Sequence, residues 1–340
     1  MKSSLSTLAL LLLGLFALEA EAGLLRRSED LALPAAGIER LKIGNGSGLL
    51  DCLGEDRDDV AIELVFKANA GSREKAQSML DRSSLGILRD GDELRLKPDL
   101  PGGKTWVDIL IRMPRHLALV AEIGSGEMRL RGLAGELEIG AGSGSIDGRD
   151  LSGRIEAELG SGELELRDLA GQVKVRSSSG DILLTRLGSC DVKTSTGDVE
   201  VQVVGGRCRI ETGSGDIELR RVDGSAELES GSGDIKASAL YGPLRSKSGS
   251  GDQVLRGLGA EGQDLQIHSG SGDLDLSFLA DASYELQLET RTGEVSARIP
   301  MTVRKITRRL LEARMGGGRD RARIETSSGD IRIRATEETR

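Results

Sequence analysis

Glu127, Glu163, Asp181, Asp198, Asp216, Asp234, Asp252, Asp273 and Glu294 each stand directly after the glycine of a recurring Ser/Thr-Gly phrase. From Asp181 to Asp252 they recur every 17 or 18 residues. If each interval is one turn of a stack, neighbouring carboxylates stand about 5 Å apart, the spacing of paired strands. Like charges at that distance repel unless hydrogen bonds or a divalent cation such as Ca²⁺ neutralise them. A calcium column through Asp181, Asp198, Asp216, Asp234, Asp252 and Asp273 is therefore one reading. Yet aspartate follows glycine only once per interval, and the opposite corner has no matching carboxylates. Corner residues that hydrogen-bond to backbone amides are the favoured reading, and no metal or cofactor is expected.

Thiols are the second candidate chemistry. Cys190 and Cys208 lie 18 residues apart, so one turn of stacking brings their Cα atoms to about 4.8 Å, within the range of a disulfide. Parallel stacked Cβ vectors do not favour the disulfide torsion, and the sequence leaves oxidised and reduced pairs equally open. Cys52 has no evident partner. With three cysteines and two distant histidines, a Cys/His zinc cluster is excluded. Catalysis has little to build on: carboxylates and arginines abound, but His116 and His268 read as surface residues. The aromatics, at 2% of the chain, are too sparse for a sugar-stacking groove. No catalytic residue is assigned.

What positions these residues is an internal repeat. The glycine of each Ser/Thr-Gly-Asp/Glu phrase recurs at Gly126, Gly144, Gly162, Gly180, Gly197, Gly215, Gly233, Gly251, Gly272, Gly293 and Gly329, with a weaker first copy at Gly46-Ser47-Gly48-Leu49. Apolar residues stand two and four places after the anchor, as Ile217 and Leu219 do after Gly215, and again seven and five places before it, as Cys208 and Ile210 do. Period two is the signature of a strand; helical repeats need a 3.6 period and far less glycine than the 47 residues here. The expected fold is all-β, a parallel β-solenoid with about 18-residue turns and two strands per turn. Eleven uninterrupted turns would span roughly 50 Å. The anchor glycine serves a corner that needs positive φ or close approach to the next turn, and Lys193 followed in its column by Glu211 fits such stacking.

Four segments follow. Residues 1–22 read as a signal peptide: Lys2, the apolar run Leu8–Leu18 and the small residues around Ala22, with cleavage expected after Ala22. Residues 23–115 read as N-terminal strands and a capping helix, the helix at Ser72–Ser84 and a strand at Thr105–Pro114. Residues 116–300 are the regular solenoid. Residues 301–340 hold an insertion, "RKITRRLLEARMGGG" (Arg304–Gly318), read as a basic amphipathic helix lying over the last turns, with capping of an acidic rod favoured over a membrane-surface role, and then a final β turn. No later segment is apolar enough to cross a membrane after signal cleavage. A net charge of −9 and a pI near 5.1 exclude nucleic acid as a partner.

The phrases "TSTGDVEVQ", "TGSGDIELR" and "SGSGDIKAS", the strand "VDILIRMPRHLAL" and the closing "TSSGDIRIR" resemble the DUF4097 family, adhesin-like β-strand-repeat proteins related to the auto-transporter adhesin head (GIN) domain. The resemblance spans Ile38 to Arg334 and implies an exported or envelope-associated β-solenoid without assigned catalytic residues. The expected function is a non-enzymatic envelope structural or binding module, periplasmic or at the cell surface, whose partner is an unidentified envelope or cell-surface protein or glycan. The alternatives are a polysaccharide-active β-helix enzyme and a calcium-dependent structural rod.

Overall fold

The structure, a computed structural model, describes the backbone of residues 11–21 and 24–336 and the side chains of 24–336. Much of the expected signal peptide, including Lys2 and the cleavage position at Ala22, lies outside the described residues. The chain forms two compact units, residues 1–166 and 167–340. It is all-β apart from one helix.

The first unit contains β1 (Leu11–Glu21), β2 (Leu24–Pro34), β3 (Arg40–Glu55), β4 (Asp59–Asn69), α1 (Arg73–Asp81), β5 (Ser84–Asp90), β6 (Glu93–Asp99), β7 (Thr105–Pro114), β8 (Ala118–Arg131), β9 (Leu137–Ala141), β10 (Ser145–Leu151) and β11 (Ile155–Leu159). β3 pairs in parallel with β8 along almost its whole length, with Gly48 on Gly126, so the weak first copy is a full turn with residues 56–117 inserted after it. β8 then pairs with β9 through its first half and with β10 through its second. Inward residues align as columns: Leu41, Leu119, Leu137 and Ile155 in one sheet, Leu50, Met128 and Ile146 in the other, all buried. A fully buried Leu or Ile contributes about 1.5–3 kcal/mol relative to exposure.

The insertion extends both sheets. β7 joins the second half of β3 in parallel, β4 joins β7 and β2 joins β4 antiparallel, and β1 lies antiparallel on β2. The β5–β6 hairpin joins the first half of β3. α1 begins where the Ser72 hydroxyl accepts the Lys75 amide and buries Ala76 and Leu80. Arg27 ties its end down, donating to the Leu80 and Ser83 carbonyls and stacking over Phe66 at 4.8 Å. The expected helix and the strand at Thr105–Pro114 thus stand where the periodicity puts them.

β12 (Leu164–Ser177) runs across the boundary. The second unit continues with β13 (Ile182–Thr196), β14 (Val199–Val204), β15 (Cys208–Ser214), β16 (Ile217–Val222), β17 (Ala226–Ser232), β18 (Ile235–Leu240), β19 (Leu244–Ser250), β20 (Gln253–Leu258), β21 (Leu265–Ser271), β22 (Leu274–Phe278), β23 (Tyr284–Thr292), β24 (Val295–Arg298), β25 (Thr302–Ile306), β26 (Leu310–Met315), β27 (Asp320–Ser328) and β28 (Ile331–Ala335). Odd-numbered strands from β13 to β21 pair in parallel in one sheet, and the even-numbered strands pair likewise in the other. Partners are mostly 18 residues apart, as Ile217 is from Ile235.

Two features depart from the sequence reading. The last turns are stacked out of chain order: β21 pairs with β27 and β22 with β28, and β27 and β28 then pair with β23 and β24. The closing turn, residues 320–335, therefore sits between turns 265–278 and 284–298. Arg304–Gly318 is not a helix. It forms β25 and β26, a hairpin whose second strand runs antiparallel along β23. Leu311, Ala313 and Met315 alternate inward there onto Leu288, Leu286 and Tyr284, and the free edge of β23 recruits them as a strand.

The sixth residue after each anchor from Gly126 to Gly251 takes the left-handed conformation: Asp150, Asp168, Arg186, Val203, Arg221 and Ala239 have φ between 53° and 59°, and Gly132 and Gly257 have 64° and 70°. The chain turns there to deliver the following Leu or Val into the core. Val203 is the costliest occupant, since a β-branched side chain is strained at this φ.

One polar pair interrupts the aliphatic columns. Gln253, fully buried in a column otherwise built of Ile, Val and Leu, accepts the Ser246 hydroxyl at 2.7 Å and donates to the His268 carbonyl at 2.7 Å. Gln253→Leu is expected to cost about 1–3 kcal/mol by leaving both partners unpaired. Ser246→Ala with Gln253→Leu should recover part of that in urea unfolding; strict additivity of the two single losses would refute the coupling.

Candidate functional site

The aspartates after the anchor glycines do come together, and their geometry assigns them work in the corner. Asp198 N donates to Asp181 Oδ1 at 3.0 Å, Asp216 N to Asp198 at 2.8 Å, Asp234 N to Asp216 at 2.8 Å, Asp252 N to Asp234 at 2.9 Å and Asp273 N to Asp252 at 2.8 Å. The ladder follows the spatial order of turns, continuing from Asp273 to Asp330 at 2.8 Å and from Asp330 to Glu294 at 3.0 Å. Each carboxylate satisfies one amide of the next turn. The Asp330 amide, and then the Arg332 guanidinium, hold the Asp273 carboxyl below its ordinary range. Among the described residues no three or more His, Cys, Asp or Glu side chains are gathered to hold a metal ion.

Inside the same corner runs a column the periodicity analysis missed. Thr194, Thr212, Ser230, Ser248, Ser269, Thr326 and Thr290 align in register three residues before the anchors, and all are buried. Several close the corner by donating to glycine carbonyls, Ser230 to Gly215 at 3.2 Å and Thr290 to Gly329 at 2.8 Å. The signal was present as Ser or Thr at a fixed offset.

Cys190 and Cys208 are in-register neighbours with Sγ atoms 3.1 Å apart, both buried and both free thiols. The hydrogen bond to Cys190, then burial, raises the Cys208 thiol well above its ordinary pKa. Cys52 is buried alone, its thiol pushed up by desolvation and by Asp51. His116 and His268 are exposed, as expected.

A concavity lies elsewhere, on the outer face of the sheet formed by β19, β21, β27, β23 and β26. It is an open groove of about 830 Å³. Its floor follows from strand alternation: Arg245, Gln266, Arg323 and Gln287 form one row across four adjacent strands. Lys247, His268 and Glu325 form the next. Arg304, on β25, reaches across β26 to Glu285 at 2.6 Å, and Arg314 meets the same carboxylate at 2.7 Å. The Arg314 hydrogen bond, with the Arg304 charge, lowers the Glu285 pKa; this carboxylate is therefore an anion at neutral pH and not a proton donor. Glu325 is taken by Arg323 at 2.5 Å and Lys247 by Glu229 at 2.6 Å. Arg245 and Arg321 make no ion pair among the described residues. The groove thus offers two unengaged guanidiniums beside two carboxamides. Sequence reading missed it because its rows join residues 245, 266, 323 and 287, an order fixed only by the displaced closing turn.

Comparison with known proteins adds the following. The profile of the family described as Toastrack DUF4097 matches residues 149–256 and 172–334, together more than half of the chain. No curated protein matches it. Among solved structures, the chain is similar to a protein from Clostridium sporogenes provisionally described as a cell adhesion protein, at 12% identity and a TM-score of 0.30, covering 91% of this chain and 99% of that one. A protein from Parabacteroides distasonis provisionally described as lipid binding matches at 14% identity and a TM-score of 0.44, covering 67% and 94%. A provisionally described adhesin from Bacteroides fragilis matches at 11% and 0.30, covering 92% and 98%. No helix among the described residues is long and apolar enough to cross a membrane.

The ladder makes a separable prediction. Asp216→Asn keeps an oxygen facing the Asp234 amide and is expected to unfold like the parent, whereas Asp216→Ala loses about 1 kcal/mol. Equal losses in both variants, or a melting temperature that falls on chelation of calcium, would show that the charge itself is needed.

Proposed function

Because the chain belongs to the Toastrack DUF4097 family, we propose that it is an exported parallel β-solenoid serving the cell envelope as a non-enzymatic binding module for an acidic glycan. The groove carries this reading. Arg245 and Arg321 present guanidiniums suited to bidentate contact with carboxylate or sulfate groups. Gln266 and Gln287 supply donors and acceptors for hydroxyls, and parallel strands repeat these groups at about 4.8 Å, which suits an extended polymer. The carboxylate at the groove wall, Glu285, is held anionic by two arginines, which favours binding over general acid catalysis.

Calorimetry with a polyuronate and a neutral glucan tests the reading. The polyuronate should bind and the neutral glucan should not, with affinity falling as salt rises. Arg245→Ala with Arg321→Ala should weaken binding by more than about tenfold. Absence of binding refutes the glycan reading, and shortening of the polymer would establish the polysaccharide-active enzyme instead.

Export places Cys190 and Cys208, already in contact, in an oxidising compartment. Their oxidation to a disulfide would release two protons and two electrons to a thiol-disulfide oxidant. Protein purified from the envelope without reductant is expected to show the mass loss of two hydrogens in a peptide pair linking these cysteines. Two free thiols in that material would refute the oxidation.

A further inference from the structure

At the end of the second unit formed by β24 and the β25–β26 hairpin, the inner columns run out into solvent. Val295 and Ala297 continue the columns of Ile331 and Ile333, and Val303 and Ile306 stand opposite Ala313 and Leu311. Those four partners are buried. Val303 is nonetheless 46% exposed and Ile306 67%. Between these strands Ile299 and Met301 are only half-buried. Cations surround this apolar end: Arg291, Arg298, Lys305 and Arg309 are exposed, with Arg304 and Arg308 beside them. The chain carries a net charge of −9, yet residues 291–309 contain six basic side chains and one acidic one. The hairpin tip is held in shape, because the Thr307 hydroxyl accepts the Arg309 and Leu310 amides at 3.2 and 3.0 Å and Arg308 is anchored on Glu294 at 2.6 Å.

We propose that this end docks on an anionic lipid surface, with Ile306 and Val303 entering the interfacial region and the surrounding cations meeting headgroup phosphates. Charge selects this occupant over a second copy of the chain, which would bring Arg291, Arg298, Lys305 and Arg309, none of them in an ion pair among the described residues, against their own copies. Arg304 is shared with the groove through its pair with Glu285; Val303, Ile306 and the other cations lie outside the groove.

Co-sedimentation of the full chain with phosphatidylglycerol-containing vesicles, beside pure phosphatidylcholine vesicles, tests it. Binding to the anionic vesicles alone is expected, weakening as salt rises. Lys305→Gln with Arg309→Gln should weaken partitioning about five-fold per charge removed, and Ile306→Ser about tenfold, with unfolding temperatures unchanged. Because the N-terminal apolar run is common to parent and variants, any lipid affinity of its own cancels in the comparison. Equal binding by parent and variants, or no binding at all, overturns the proposal. A dimer in sedimentation that Ile306→Ser dissociates, or capture by an acidic protein in place of lipid, would assign the end to a protein partner and overturn it too.

Discussion

The carbonyl oxygen of one corner glycine occupies the place where the next corner residue would put a Cβ. At Gly215 and Gly233 any added carbon would overlap the carbonyl of the anchor one turn before, so only glycine lets adjacent turns close to strand-pairing distance. Everything else in the stack is subordinate to that approach. The aspartate ladder and the buried Ser/Thr column satisfy the amides and carbonyls that the tight corner would otherwise strand. The aliphatic columns then fall into register because the corners already have. Positive φ is the secondary requirement at this column: several anchors adopt it, as Gly197 does at 117°, but the left-handed position common to the turns from Gly126 to Gly251 lies six residues on, at the opposite bend.

A corner fixed in this way separates two kinds of position. Inward side chains are dictated by their column, and where a polar residue enters, as Gln253 does, its partner Ser246 enters with it. Outward side chains answer only to their in-register neighbours, whose exposed ion pairs, such as Lys193 with Glu211 at 2.8 Å, contribute about 0–1 kcal/mol each. The outer faces are thus free to vary, and the groove and the cationic end occupy them.

The turns, their length and their two strands were legible because period two and a fixed glycine phrase survive in one dimension. So were α1, with its Ser72 cap, and β7, ended by Pro114. The hairpin at 302–315 was not: its many basic residues suggested an amphipathic helix, while the alternation of Leu311, Ala313 and Met315 had meaning only once β23 offered an edge. The groove was illegible for a related reason. A strand has two edges, and no local pattern says which distant segment will take the second one; the interval of 36 between Gly293 and Gly329 marked an interruption without revealing a displacement.

That displacement bears on how the molecule is made. A chain emerging from its N-terminus completes residues 284–298 before residues 320–335 exist, and those earlier strands could pair prematurely with β21 and β22 through the same phrase and the same columns. The native arrangement requires that place to be kept vacant, or to be vacated, until the final strands arrive. The turn of residues 320–335 is therefore a wedge, entering between two turns already made, and its assembly is a late, non-local event in an otherwise nearest-neighbour fold.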